Sequence, residues 1–393
     1  MLLCFERQLP CPPSVAWSLA NDPRRMNLWS LARVEVVSLG DGAHPAGVGA
    51  LRRVHVPSRL RPLALDEVVV EAEPPHRFAY RVVAGVPVRR HLGRLACEPS
   101  ERGTRLRWEV DIEPPNRLLG LLIRRSLVPQ LERSLDRMVR AAGDADAGTA
   151  LPPRRDLDEH APVPDLLRVA EDCLAEQRSL ADGLMATEAP ARWFTRVYEH
   201  VTELQIAGCR EGRFRHPAWV LRLIPAFHEL YVRNLRAWLR REHTAVEAHW
   251  RSAFTAMEGA ARKRPEPLSH LGYVVAKGMQ AHIEEDLPRA LAQVWARHYA
   301  GRCDYVRLRG DYLAMESVFR VAGDRLLQAI PRREWPLDTR VLHAVLPAVI
   351  KDRWTAREHY DLGRQRRKAF ERGERIGRMI IPEPPTVQPS ALP

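Results

Sequence analysis

Residues 278–288 place one histidine and three carboxylates within a few positions of one another, between two apolar helical stretches. His282 and Asp286 are four residues apart, so a continuous helix would present an imidazole and a carboxylate on the same face. Such a pair can bind a transition metal, can orient a water molecule, or can form a hydrogen bond between its own two side chains. His228, in a neighbouring apolar helix pattern, and Glu358 or His359, in the last helix pattern, are the candidates for further ligands. The stretch is therefore a candidate site for a divalent metal ion.

Pro288 supports a structural alternative for the same residues. Proline disfavours helix at the residue before it, so Asp286 could cap a helix that begins near Pro288. His282 would then close the preceding helix, where a cation interacts favourably with the helix dipole. An ion pair between His282 and Asp286 without a metal is also compatible with the spacing. If a metal is bound, the adjacent Glu285 is a candidate base of a metal-dependent hydrolase.

The elements that must position this stretch are helices. From about residue 160 to 370, apolar residues recur at spacings of three and four, as in Phe227 and Tyr231, and strand signals are missing. We therefore predict an all-α domain over residues 161–372. A linker of small, acidic and proline residues is predicted at 143–160, and a disordered tail at 373–393.

Residues 1–142 have a different pattern, in which short alternating stretches are bounded by Gly, Pro or Asp-Gly. A short helix is predicted after Pro13, and a long helical pattern over 116–142 closes the domain. A meander of strands curled around one long helix is an α+β arrangement with room for a cavity between them. The predicted strands cover residues 2–9, 34–39, 49–56, 65–72, 77–83, 88–97 and 104–112.

Charge and composition narrow the class of protein. The net charge of +12 and the isoelectric point near 9.9 would suit nucleic-acid binding only if the basic residues were clustered. They are spread over both halves, so no nucleic-acid partner is expected. No run approaches the ~20 apolar residues of a transmembrane helix, and the first residues lack the apolar block of a signal peptide. The six scattered cysteines indicate reduced thiols, and we predict a cytoplasmic protein.

The whole of residues 1–142 resembles the START-like superfamily, also called SRPBCC, and within it the polyketide cyclase/dehydrase group. The resemblance implies a helix-grip fold, whose cavity under the long helix binds a hydrophobic small molecule such as a lipid or a polyketide. In a few members of the superfamily, polar groups in this cavity carry out cyclisation or dehydration. The matching stretches are Pro13-Ser14-Val15-Ala16-Trp17, Asp22 to Trp29, Gly47-Val48-Gly49, Glu73 to Tyr80 and Gly103 to Trp108.

Four aromatic residues are candidates for lining or gating such a cavity, namely Trp17, Trp29, Tyr80 and Trp108. An aromatic residue at these positions can equally fill the core, and Trp17, on the inward face of an amphipathic helix, is predicted to do so. Most of the acid and base candidates should alternate onto the solvent face of their strands, so no catalytic residue is assigned. These candidates are His55, His91, Glu67, Glu71, Glu109 and Asp111.

Residues 160–370 resemble a bacterial helical family of unknown function, family 5995, which implies a helical fold and no particular activity. Two functions are therefore expected. The first is a hydrophobic small-molecule binding protein, cyclase-like in its chemistry, with an accessory helical domain. The alternative is a metal-dependent hydrolase centred on His282 and Asp286, and the oligomeric state is left open. The resemblance rests on Phe194 to Thr202, Gly212 to Phe214, Phe227 to Tyr231, Gly278 to Ile283 and Asp286-Leu287-Pro288.

Overall fold

The chain divides into two compact units in the computed structural model. Unit 1 comprises Met1–Leu157 and Val306–Leu313, and unit 2 comprises Asp158–Tyr305 and Ala314–Pro393. The predicted domain boundaries stay a prediction, since most of the linker and the end of the tail lie outside the described residues. The structure describes residues 1–57, 63–86, 88–143, 145, 157, 162–262, 267–328 and 360–380.

Alternation of apolar and polar residues builds a seven-stranded antiparallel sheet in unit 1. The strand order is β1-β7-β6-β5-β4-β3-β2, so consecutive strands from β2 to β7 pair as hairpins and β1 pairs with β7. A sheet of this kind presents every second side chain to the core. The strands are β1 (Leu2–Leu9), β2 (Arg33–Ser38), β3 (Leu51–Val56), β4 (Leu63–Glu73), β5 (Arg77–Ala84), β6 (Arg90–Ser100) and β7 (Gly103–Glu113).

Helices at both ends of the strand meander complete unit 1. Helices α1 (Pro13–Asn21) and α2 (Pro23–Trp29) follow β1, and α3 (Arg117–Ala142) follows β7. The Asn116 side chain caps α3 by accepting a hydrogen bond from the main-chain N–H of Leu119. Apolar residues of α3 join those of the strands in one core. This arrangement of one long helix against an antiparallel sheet confirms the predicted α+β helix-grip fold.

A short segment from far along the chain, Val306–Leu313, also belongs to unit 1. The Arg309 guanidinium donates from Nη1 to the main-chain carbonyls of Leu39 at 3.1 Å and Gly49 at 2.5 Å. Gly49 has a positive φ of 85°, and a Cβ there would lie 1.9 Å from the carbonyl oxygen of Val306. The loop between β2 and β3 is therefore held by a segment that the sequence pattern placed in the helical domain.

The described part of unit 2 contains helices and no strands, which confirms the predicted all-α region. Phe194, Tyr231, Trp250 and Phe254 form the centre of its apolar core. The predicted helix around residues 341–349 lies outside the described residues. The helices of unit 2 are α4 (Val163–Ala186), α5 (Arg192–Arg210), α6 (Pro217–Leu239), α7 (Ala248–Arg262), α8 (Pro267–Ala281), α9 (Leu287–His298), α11 (Glu316–Gln328) and α12 (Leu362–Ile380). The short α10 (Arg309–Ala314) precedes α11, and all of it except Ala314 belongs to unit 1.

Helix α12 continues into the region predicted as a disordered tail. Its residues 373–380 are helical, and Gly373 and Gly377 are buried. The Cβ of a larger residue at Gly377 would lie 2.9 Å from the Trp295 ring, so close packing against α9 holds this end of the chain. Composition alone missed this contact because it depends on a partner helix distant in sequence. No described helix has both the length and the hydropathy needed to span a membrane.

Candidate functional site

A cavity of about 120 Å³ lies between the sheet and α3 in unit 1. Every second residue of a strand faces it, as shown by Arg52, Val54 and Val56 on β3. Engineered apolar cavities of roughly 150 Å³ admit benzene, so this volume suits one aromatic ring or a short acyl chain. From α3 the lining residues are Leu127, Gln130, Leu131 and Ser134, and from β4 and β5 they are Leu65, Glu67, Phe78, Tyr80 and Val82.

The cavity contains one buried ion pair in an otherwise mostly apolar lining. Arg52 Nη2 lies 2.6 Å from Glu67 Oε1, and the two side chains are 1% and 6% exposed. Arg52 Nη1 donates to the carbonyl oxygen of Asn21 at 3.1 Å, and the guanidinium lies 5.1 Å from the Phe78 ring centroid. Buried charges require such partners because leaving water is costly. The pair gives the cavity a polar anchor in a defined place.

Burial shifts the proton affinities of three groups that line the cavity. It raises the pKa of Glu67, although Arg52 opposes the rise, and it raises the pKa of the Tyr80 hydroxyl. Burial also lowers the pKa of His91 to about 4, so its imidazole is neutral at pH 7. His91 Nδ1 is buried without a hydrogen-bond partner among the described residues. The cavity therefore offers neutral hydrogen-bonding groups beside the ion pair.

Three of the four predicted aromatic residues line this cavity, namely Trp29, Tyr80 and Trp108. Trp17 lies outside the lining. Its ring packs edge-on against Phe78 with the centroids 6.1 Å apart, and its indole N–H donates to the carbonyl of Arg77 at 3.3 Å.

Two of the six acid and base candidates, Glu67 and His91, also line the cavity. The other four, His55, Glu71, Glu109 and Asp111, lie outside the lining. Sequence reasoning missed Arg52, because an arginine in an alternating strand is ordinarily expected on the solvent face. Arg52 on β3 lies directly opposite Glu67 on β4 in the sheet. A prediction of the β3–β4 register would have placed these opposite charges side by side.

In unit 2 the Asp286 carboxylate is fully buried and accepts hydrogen bonds on both oxygens. His249 Nε2 lies 2.9 Å from Oδ1, and Trp250 Nε1 and His282 Nδ1 lie 2.8 and 2.9 Å from Oδ2. Burial opposes ionisation, but the hydrogen bonds from the two histidines and Trp250 outweigh it and hold the pKa of Asp286 well below its usual range. Asp286 is therefore the charged centre of a closed hydrogen-bond network.

His282 is held in one orientation by Asp286 and by stacking. Its ring lies parallel to Phe227 with the centroids 3.4 Å apart, and edge-on to Tyr198 at 4.8 Å. Burial lowers the pKa of His282, and Asp286 only partly opposes this. His282 Nε2 has no hydrogen-bond partner among the residues that the structure describes. The imidazole is thus buried, is held in one orientation, and packs mainly against aromatic rings.

Residues His282–Asp286 form a π-helical turn that joins α8 to α9 without a break. The main-chain N–H of Leu287 bonds to the carbonyl of His282, five residues back. Pro288 has no N–H to offer the carbonyl of Glu284, and Arg372 Nη1 donates to that carbonyl instead at 2.8 Å.

The helix-cap interpretation of Asp286 is therefore wrong. Asp286 has helical φ and ψ angles of −78° and −41°, and its side chain makes no capping bond. Its Oδ2 instead lies 2.9 Å from His282 Nδ1, so the two side chains bond to each other at the predicted four-residue spacing. The π turn accommodates Pro288, so the proline does not end the helix.

The structure does not bring His228 into the group of side chains around Asp286, and the other two ligand candidates, Glu358 and His359, lie outside the described residues. His228 Nδ1 lies 3.2 Å from Gln177 Nε2 and its Nε2 lies 2.9 Å from Glu176 Oε2. The residues whose ligand atoms converge with Asp286 are His249 and Glu247, all within 4.8 Å of one another. Sequence reasoning missed both, because they lie about forty positions earlier and only the packing of α7 against α8 brings them close.

Comparisons with known families agree with both halves of the fold. The model described as "Polyketide cyclase / dehydrase and lipid transport" matches residues 5–143. The model described as "Family of unknown function (DUF5995)" matches residues 170–372, which is more than half of the chain. A search of curated proteins gave no match.

Three solved structures that resemble the chain each cover slightly more than a third of it. TTHA0849 from Thermus thermophilus is 18% identical, with a TM-score of 0.30 over 37% of this chain and 95% of that one. CV1439 from Chromobacterium violaceum is 16% identical, with a TM-score of 0.29 over 36% and 96%. Ara h 8.0201 is 11% identical, with a TM-score of 0.31 over 37% and 98%. The chain thus carries an amino-terminal polyketide cyclase/dehydrase and lipid-transport domain and belongs to the family of unknown function DUF5995.

Proposed function

We propose that this protein binds a hydrophobic small molecule, lipid-like or polyketide-like, in the cavity of unit 1. The observation that carries the proposal is the apolar cavity beneath α3 with the buried Arg52–Glu67 pair in its wall. Apolar pockets with a few convergent polar groups are the usual form of small-molecule sites. The match to a family described by polyketide cyclisation and lipid transport supports the same ligand class.

The polar groups suggest how the ligand is oriented. An apolar ring or acyl chain would occupy the space between Trp29, Trp108 and Leu131, and an oxygen of the ligand would face the polar wall. Glu67 and His91 are the groups that would move protons if the bound molecule is cyclised or dehydrated. The proposed chemistry is therefore cyclase-like, and binding is the step on which it depends.

Calorimetric titration of the full chain with phenol, an aromatic alcohol with a single ring, tests the binding proposal. Val54 lines the cavity, so Val54→Phe should raise the dissociation constant at least about tenfold by filling it. Val37, which is 46% exposed, supplies the matched control, and Val37→Phe should leave binding unchanged. Equal binding by the wild type and Val54→Phe would overturn the proposed site. Native mass spectrometry of the purified protein would identify a co-purified ligand.

The metal-dependent hydrolase is the second candidate, and the convergence of Glu247, His249 and Asp286 supports it. The positive charges beside these ligand atoms argue against a bound metal ion. Arg289 Nη1 lies 2.5 Å from Glu247 and 3.7 Å from Asp286, and Arg233 also bonds Glu247. Two guanidinium groups already balance the two carboxylates, so a divalent ion would add uncompensated positive charge. The arrangement fits a closed ion-pair network better than a metal site.

Elemental analysis decides between these two arrangements. The network predicts that purified full chain contains no stoichiometric transition metal and that dialysis against a chelator leaves its melting temperature unchanged. A stoichiometric metal that is lost in Asp286→Asn, with the protein still folded, would establish the hydrolase candidate instead.

A further inference from the structure

The first turns of α3 carry an exposed apolar patch. Leu118, Leu121 and Leu122 are 70%, 63% and 55% exposed, and their spacing of three and four places them on one face of the helix. The opposite face is fixed in the protein, since Gly120 is buried and Ile123 packs against the core of unit 1. A cluster of exposed leucines on an otherwise anchored helix marks an interaction surface.

The same turns carry only positive charge. Arg117, Arg124 and Arg125 are exposed, and the sequence from residue 116 to 131 contains no acidic residue. The helix amino terminus adds its partial positive charge at the same place. Leucines flanked by arginines on one helix face complement a surface that is both apolar and anionic, which describes a bilayer containing acidic phospholipids.

This patch lies close along α3 to the residues that line the cavity. Leu127 is the first of these, and it follows Leu122 by five residues, or roughly 7.5 Å at the helical rise of 1.5 Å per residue. The exposed leucines and part of the cavity lining therefore lie on the same helix. A bilayer contact at this tip would bring the cavity wall to the depth of the lipid headgroups.

We propose that the amino-terminal turns of α3 form a docking surface for anionic phospholipid bilayers. Leu118, Leu121 and Leu122 enter the boundary between headgroups and acyl chains, while Arg117, Arg124 and Arg125 contact phosphate groups. The contact is peripheral, and it needs no spanning helix. The inference stands apart from the cavity, because it rests on exposure and charge at the outer face of α3.

Co-sedimentation of the full chain with vesicles tests the proposal. Binding should be strong to vesicles of phosphatidylcholine mixed with phosphatidylglycerol, weak to pure phosphatidylcholine, and reduced by salt. The double variant Leu121→Ser/Leu122→Ser should weaken binding at least about tenfold, since each leucine contributes apolar area. Arg124→Gln/Arg125→Gln should reduce the preference for anionic vesicles. Leu239→Ser, at a leucine 51% exposed on α6, is the matched control and should bind as the wild type does.

Three outcomes would overturn the proposal. The first is a wild type that sediments with neither kind of vesicle, and the second is unchanged binding by both double variants. The third is a wild-type dimer that Leu121→Ser/Leu122→Ser converts to a monomer without any vesicle binding, which would make the patch an interface between two copies. The single variant Leu118→Ser, at the most exposed of the three leucines, repeats the test if the double variant misfolds.

Discussion

The Asp286 carboxylate shows how a buried charge is kept in a protein core. Three N–H donors, from His249, Trp250 and His282, replace the water that the carboxylate loses on burial. Removing one partner of such a group leaves the rest without compensation, which is why these residues act together. The sequence offered only the local half of this network, the pair at four-residue spacing. The other donors come from a helix whose position no local pattern could supply.

His91 predicts the direction of pH dependence in unit 1. Its pKa in the folded protein is about 4, below the 6.5 of an exposed imidazole, so the unfolded chain binds the proton more readily. The contribution of His91 to stability is therefore complete above pH 6.5 and is lost as the pH falls from 6.5 to 4. A shift of this size corresponds to about 3 kcal/mol. Because phenylalanine does not titrate, His91→Phe should lose less stability than the wild type between pH 6.5 and 4.

Urea unfolding of the full chain at a series of pH values measures this effect. His76, exposed in the turn between β4 and β5, provides the control, and His76→Phe should keep the wild-type pH profile. If His91→Phe and the wild type lose stability in parallel between pH 6.5 and 4, the imidazole is not the group responsible.

The elements of unit 1 could be predicted from sequence, because each strand is bounded by turn residues and alternates between two environments. β7 shows this well, with Thr104, Leu106, Trp108, Val110 and Ile112 buried and the residues between them more exposed. The helical signals of unit 2 were equally periodic. Periodicity could not predict the π turn at His282–Asp286, because Pro288 is an ordinary helix-stop signal and because Arg372, which donates to the Glu284 carbonyl, comes from the distant helix α12.

The π turn predicts a specific effect of Arg372. Besides the Glu284 carbonyl, this arginine contacts both carboxylate oxygens of Glu285, at 3.0 and 2.8 Å. Arg372→Met should lower the free energy of unfolding by about 1 kcal/mol and speed amide hydrogen exchange at Leu287. Arg375→Met, at an exposed position of the same helix, should do neither. Unchanged exchange at Leu287 in Arg372→Met would show that the π turn does not need this bond.

At the scale of the whole molecule, unit 1 is built from two stretches of chain separated by about 150 residues of unit 2. Gly49 lets the second stretch approach, because it has no Cβ and adopts a positive φ. Gly49→Ala should therefore combine backbone strain with a collision against the Val306 carbonyl. We expect a loss of about 3 kcal/mol in the stability of unit 1, of which the strained φ accounts for about 1 kcal/mol.

Gly212→Ala separates the two contributions, since Gly212 also has a positive φ of 66°, but a Cβ added there would meet no described atom within 4 Å. Gly212→Ala should therefore lower the free energy of unfolding only by the backbone strain of the positive φ. Calorimetry of both variants, with hydrogen exchange across residues 39–50, gives the comparison. Equal destabilisation by the two alanines would mean that the Val306 contact contributes nothing.

The split of unit 1 has a consequence for synthesis on the ribosome. The last residue of α3 is Ala142, but Arg309 is added only after many further residues have been translated. At rates of about 5–20 residues per second, this interval is roughly 10 to 30 s. During that time the residues of all seven strands have been translated, but Arg309, which donates to the carbonyls of Leu39 and Gly49, has not. The Arg309 hydrogen bonds of unit 1 can therefore form only after the segment Val306–Leu313 has been translated.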